Sequence, residues 1–140
     1  PDAVIAFGLA SGRAQISLER VAINLMDYSI PDNVGKLIKG QPILEGAPNA
    51  HFSTLPLQSM HKALINAGIP SHLSLSAGAY LCNQVFFTLM QTIHEQNLNL
   101  KGGFVHLPCL PQQAAQSDKP IPSMSFDLML HAAFVLIEHL

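Results

Sequence analysis

The sequence contains no tryptophan and only two cysteines, and charged residues make up just 11% of its 140 positions. Each shortage excludes something. Two thiols cannot staple a small secreted fold, and neither Cys82 nor Cys109 has another Cys or a close His at zinc-like spacing. The formal net charge of −2 leaves no electrostatic footprint for nucleic acid. Lys and Arg are scattered singly, which also argues against docking on an anionic membrane. No apolar run reaches the length that spans a bilayer. The opening Pro1-Asp2-Ala3-Val4-Ile5 lacks both the features of a secretory signal and an initiator Met, so the chain reads as cut or processed. The default expectation for such cysteines is a reduced, cytoplasmic protein.

What is present is apolar. Hydrophobic residues make up 49% of the chain, enough to build a core in one domain of this length. Asp2 to Phe7 is a nearly continuous apolar run ending at Gly8, as in a strand buried on both faces. Ile16 to Asn24 reads as a second strand. Ile30-Pro31-Asp32-Asn33-Val34-Gly35 carries turn chemistry, and Gly40 to Ser53 reads as irregular. Apolar residues at 57, 60, 64 and 67 predict a helix stopped by Gly68 and Pro70. Leu73 to Ser76 is a short strand candidate. Leu81, Val85, Phe86, Leu89, Met90 and Ile93 mark the buried face of a further helix. Gly103 to Leu107 reads as a strand and Pro108 to Pro122 as a proline-rich loop. Ser123 is placed to cap a last helix with Met124, Leu128, Phe134, Val135 and Ile137 among its apolar positions. Alternating strands and amphipathic helices predict a single-domain α/β/α sandwich over residues 1–140, with a largely parallel, mixed central sheet.

Three residues carry candidate chemistry. Cys82 falls just after the Ser76–Tyr80 turn, near the start of a predicted helix. The partial positive charge and free N–H groups of a helix N-terminus favour a thiolate and can receive an oxyanion. From position alone, Cys82 reads more commonly as a small buried hydrophobe. Cys109, between Pro108 and Pro111, has no helix terminus to activate it and reads as structural or incidental. His106 ends its strand, where open α/β sheets gather functional groups; it suits a general base and acid, or a hydrogen-bonded structural His. The other six histidines fall on predicted helices and loops with no comparable setting. Glu19 lies inside a strand-like run. It suits the residue that orients an imidazole, though the stronger reading of Glu19 alone is an exposed carboxylate paired with Arg13 or Arg20. Gly8-Leu9-Ala10-Ser11-Gly12-Arg13 matches neither the dinucleotide nor the phosphate-loop pattern.

Read together, three blocks resemble the pyroglutamyl peptidase I family of cysteine peptidases. They are Gly8 to Asn24, Ser76 to Phe86 and Lys101 to Pro108, with Ile30–Asn33 and Phe52–Pro56 also similar. They occur in family order and spacing over nearly the whole chain. The resemblance implies a triad of nucleophile Cys82, base and acid His106, and orienting Glu19. It implies a thioester acyl-enzyme on peptides with an N-terminal pyroglutamate, and no metal or organic cofactor. Leu9, Ile30, Tyr80 and Leu81 match substrate-binding positions. Family members are often homo-oligomers.

The chain also departs from the pattern. The family's opening strand and Gly-Phe-Glu-Pro-Phe-Gly-Gly loop are absent, roughly the first quarter to third of a family chain. Leu9 stands where the family usually has a Gln that hydrogen-bonds the lactam, and an unpaired buried lactam group costs about 1–3 kcal/mol. Ser29 stands where an Arg is common. These departures leave two other readings open: a related thiol amidase with altered acyl specificity, or a non-catalytic homologue.

Overall fold

A computed structural model describes residues 1–140. In chain order the elements are β1 (Ala3–Leu9), β2 (Ile16–Glu19), β3 (Val21–Ile23), β4 (Ala50–Phe52), α1 (Leu57–Asn66), β5 (Ser71–Ser74), α2 (Leu81–Glu95), β6 (Lys101–Leu107), α3 (Pro111–Ala115) and α4 (Phe126–Glu138). The main sheet runs β1-β6-β2-β5, and β3 and β4 form a small separate ribbon. β1 with β6 and β2 with β5 are parallel, whereas β2 with β6 is antiparallel. The sheet is therefore mixed and mostly parallel, with layers on both faces.

Strand alternation sorts the side chains into those layers. Ile16, Leu18 and Val105 point to one face and pack with Met60, Leu64, Met129, Ala132 and Leu136 of α1 and α4. Phe104 points to the other face and packs with Phe86, Phe87, Met90 and Ile93 of α2. Ser17, Glu19 and His106 share that second face, so the polar residues lie under α2.

Several elements differ from expectation for local reasons. Ile16–Asn24 is not one strand: the chain changes sheets at Arg20. The Arg20 N–H donates to Ser74 O on the β5 side, while its C=O accepts from Ser53 N beyond β4. β4 lies in the stretch that reads as irregular, because its three residues pair only with β3 and carry no periodic signal of their own. β1 runs through Gly8 to Leu9, and β5 begins at Ser71, ahead of Leu73. α3 is a single turn in the proline-rich segment, closed where Gln113 Oε1 accepts from Leu110 N. Ser125, not Ser123, caps α4, accepting from Leu128 N at 3.3 Å. Its buried face is Met129, Ala132, Val135 and Leu136, which turns Phe134 and Ile137 outward.

Helix ends obey the sequence more closely. α1 stops where Gly68 takes a φ of 72°. Ile69 N then donates to Leu64 O and Gly68 N to Ile65 O, the paired bonds of a Schellman ending. No helix is long and apolar enough to cross a membrane. Cys109 is buried, two residues before α3.

Candidate active site

The antiparallel register sets Ser17 opposite His106 and Glu19 opposite Phe104. Glu19 and His106 are thus diagonal neighbours on one face, within reach of each other's side chains. His106 Nδ1 donates to Glu19 Oε1 at 2.7 Å, and both groups are buried, at 4% and 0% exposure. The same oxygen accepts from Arg13 Nη1 at 2.6 Å, while Arg13 Nη2 donates to Ser76 O at 3.0 Å. Two expectations for Glu19 therefore hold at once. It pairs with Arg13 and with the imidazole, but it is fully enclosed rather than exposed, and Arg20 is not its partner.

Cys82 is the second residue of α2, and no side chain caps that helix. Its first-turn N–H groups are left to whatever occupies the site. The turn is anchored from beneath by Asn83. This buried side chain accepts from Ile23 N at 2.9 Å and donates to Ile23 O and Leu25 O at 2.8 and 3.1 Å. Gly8, in register with His106, opens the floor beneath the thiol. A Cβ there would sit 2.7 Å from Phe104 Cζ and 3.0 Å from Cys82 Sγ.

Two protonation equilibria are displaced. For His106, burial pushes the pKa down, but hydrogen bonds and charge interactions with Cys82 and Glu19 outweigh it and leave the ring above its ordinary value. With Nδ1 on Glu19, Nε2 is the nitrogen left for the thiol. For Glu19, burial pushes up, and hydrogen bonds from His106, Ser74 and Arg13 with the Arg13 charge bring the carboxyl below its ordinary value. The well-formed bond of Ser74 Oγ goes to Ser76 O at 3.2 Å, so Glu19 Oε2 keeps no firm partner of its own. A thiol, a cation-prone imidazole and a buried carboxylate in one line can generate a nucleophile and shuttle its proton. No three or more His, Cys, Asp or Glu side chains are arranged to hold a metal ion.

The remaining expected residues divide. Tyr80 is the N-cap position of α2; its hydroxyl donates to Pro31 O at 3.2 Å and its ring meets Tyr28 edge-on at 4.6 Å. That bond ties the loop carrying the exposed Ile30 to the start of α2, next to half-exposed Leu81. Leu9 is a correction. It pairs with Leu107, one step beyond Gly8 and His106, so its side chain leaves the sheet on the face opposite Cys82. There it lines a groove of about 410 Å³ with Phe7, Leu107, Leu110, Phe126 and Met129.

Arg13, Asn83, Gly8 and His72 were not singled out as site residues by sequence reasoning. Asn83 had a usable signal, a polar residue on the helical stripe of Phe86, Phe87 and Met90. His72 lies on β5 opposite Ser17, a setting comparable to that of His106 and unlike the helix or loop assigned to it.

A thiol at a helix N-terminus, facing a carboxylate-bound histidine on a mixed α/β/α sheet, defines a thiol hydrolase class of site. Comparison with known proteins narrows the class. The profile of the pyroglutamyl peptidase family matches residues 1–140, and the chain belongs to that family. It is 46% identical over 138 residues to the pyrrolidone-carboxylate peptidase of Thermococcus onnurineus, covering 99% of this chain and 68% of the relative. Against that of Pectobacterium atrosepticum it is 46% identical over 140 residues, covering 100% and 65%. A solved structure of a mutant pyrrolidone carboxyl peptidase from Pyrococcus furiosus superposes with a TM-score of 0.95 at 43% identity, covering 99% and 68%. The chain thus spans about two thirds of the length of these relatives.

Proposed function

We propose that the chain carries the catalytic centre of a cysteine exopeptidase that removes pyroglutamate from peptide N-termini. The observation that supports it most is the buried His106–Glu19 bond set beside Cys82 at the open start of α2. Cys82 Sγ attacks the pyroglutamyl carbonyl while its proton passes to His106 Nε2. The tetrahedral oxyanion is received by first-turn N–H groups of α2. His106 gives the proton to the departing amine, and the C–N bond breaks to leave a thioester. Water, deprotonated by His106, then hydrolyses the thioester and releases pyroglutamate. Glu19 fixes the imidazole through Nδ1 and stabilises its cation. Ile30, Tyr80 and Leu81 form the apolar wall for the lactam.

A free nucleophilic thiol suits a reducing, cytoplasmic setting. Exposed Phe126, Phe134 and Ile137 are compatible with a homo-oligomer, which light scattering tests.

The test of function is release of a chromogenic amine from a pyroglutamyl conjugate by the purified protein, with and without a thiol alkylator. Release that the alkylator and Cys82→Ala both abolish supports the reading. Release that survives Cys82→Ala overturns the nucleophile. A folded protein that cleaves another acyl amide but not this one is the related thiol amidase instead.

A further inference from the structure

Three buried side-chain atoms have no hydrogen-bonding partner in the chain: Ser17 Oγ, Glu19 Oε2 and His72 Nδ1. They share one place. Ser17 is opposite His72 in the parallel β2–β5 pair and opposite His106 in the antiparallel β2–β6 pair, and Glu19 is two residues along the same strand face. Buried polar atoms are paired as a rule, so three orphans side by side call for a common explanation.

Their chemistry is complementary. A carboxylate oxygen only accepts, a hydroxyl both accepts and donates, and an imidazole nitrogen carrying a proton donates. One order satisfies all three: His72 Nδ1–H to Ser17 Oγ, and Ser17 O–H to Glu19 Oε2. Closing the links takes side-chain rotation or one enclosed water, and the donor order is the same in both cases. His72 is only half-buried and borders an open cleft with Arg13, Gln15 and Ser76, so the far side of its ring stays wet.

Glu19 needs such a link. Arg13 and His106 both bind Oε1, so Oε2 is left facing only Ser74 Oγ, opposite on β5, whose well-formed bond goes to Ser76 O. The terminal torsion of a glutamate is soft, and two bonds to one oxygen do not fix the carboxylate plane. We propose that Ser17 is a positioning residue that holds Glu19 by its second oxygen, with His72 as the donor behind it. The charged or titratable groups around Glu19 are then Arg13 from the loop before β2, His106 from β6, His72 from β5 and Cys82 from α2.

This inference rests on the proposed peptidase reading for its kinetic consequence but not for its structural one. Ser17→Ala should lower kcat about tenfold with KM unchanged, the size expected for one hydrogen bond to a charged group. It should also move the Glu19 carboxyl titration, followed by carbon NMR, upward, because a donor to the charged form is lost. Ser17→Thr keeps the hydroxyl and should restore both. His72→Phe should cost roughly two- to fivefold in kcat, and His72→Gln, which keeps a donor, less. Wild-type kcat and an unmoved carboxyl titration in Ser17→Ala would overturn the proposal. So would a fall in kcat with no carboxyl shift that Ser17→Thr leaves unrepaired, which is the mark of packing alone. If Ser17→Ala does not fold, the two His72 variants decide, and equal behaviour of Phe and Gln overturns it. The titration needs no substrate. A wild-type protein without turnover would sink the peptidase reading, and the carboxyl shift would still decide this one.

Discussion

Glu19 and His106 stand diagonally across the antiparallel β2–β6 pair, and their bond at 2.7 Å lies beneath α2, out of solvent. The displaced protonation of both partners makes this bond a pH-dependent contribution to stability. Glu19 is lowered from 4.5, so its contribution is complete above 4.5 and is lost as pH falls through the folded value. His106 is raised from 6.5, so its contribution is complete below 6.5 and is lost as pH rises through the folded value. The two overlap fully between 4.5 and 6.5. The Tm difference between wild type and a Glu19→Gln, His106→Ala double variant should be largest in that window and shrink on either side. A difference that is flat from acid to alkaline pH contradicts the bond as described.

Glu19→Ala should unfold more readily than the wild type. It strips Arg13 and His106 of the acceptor they share, and breaking a buried ion pair from one side costs about 3–5 kcal/mol. Arg13 is partly exposed and can rehydrate, so the lower end of that range is expected. Denaturant unfolding measures it, and a loss below 1 kcal/mol would mean that the pair is not coupled to folding.

Gly8 matters for space, not for backbone freedom. An added methyl would press on Phe104 and on Cys82 Sγ, the latter at 3.0 Å. Phe104 is wedged between the sheet and Phe86, so little room exists for it to move. Gly8→Ala should destabilise by about 1–3 kcal/mol and lower kcat by displacing the thiol. A variant with unchanged melting and turnover would place the thiol elsewhere.

Much of this was legible in the sequence because period and residue type carry it. Gly68 marked the end of α1 through the positive φ it adopts, and the apolar stripe of Phe86, Met90 and Ile93 marked the packed side of α2. The α/β/α layering follows from the alternation of strands and helices. What was not legible depends on register. Nothing in Ile16–Asn24 announces that the chain changes sheets at Arg20, since that turn is decided by the distant Ser74 and Ser53. The contacts of Arg13, Asn83 and His72 are likewise long-range, with partners that only the fold selects. Leu9 shows the reverse error: motif alignment placed it in the acyl site, whereas strand alternation sends its side chain to the other face.

Leu9→Gln turns that error into a measurement. If the residue faced the lactam, an added amide would supply a hydrogen bond and raise kcat/KM. Pointing instead toward Leu107 and Phe126, the amide enters an apolar groove and meets no substrate. The expected result is kcat/KM on a pyroglutamyl substrate within about twofold of wild type, with at most a small loss of stability. A tenfold gain would return Leu9 to the substrate site.

Asn83→Ala tests how Cys82 is held. Asn83 makes three hydrogen bonds to the backbone of Ile23 and Leu25, and it is the residue that follows Cys82. Removing it leaves Ile23 N and Leu25 O unpaired under the helix, while Ile23 O keeps its bond from Leu25 N, at about 1–3 kcal/mol for each group that stays dry. The start of α2 should then loosen from β3 while its far end, packed through Met90 and Ile93, stays in place. Hydrogen exchange should accelerate at the first turn of α2 and in β3 more than in β6. Turnover should fall further than substrate affinity, because the loosened turn carries both the thiol and the N–H groups to which the proposed mechanism assigns the oxyanion. Uniform acceleration across α2 and β6, or loss of affinity alone, would mean that Asn83 supports the domain as a whole rather than the position of Cys82.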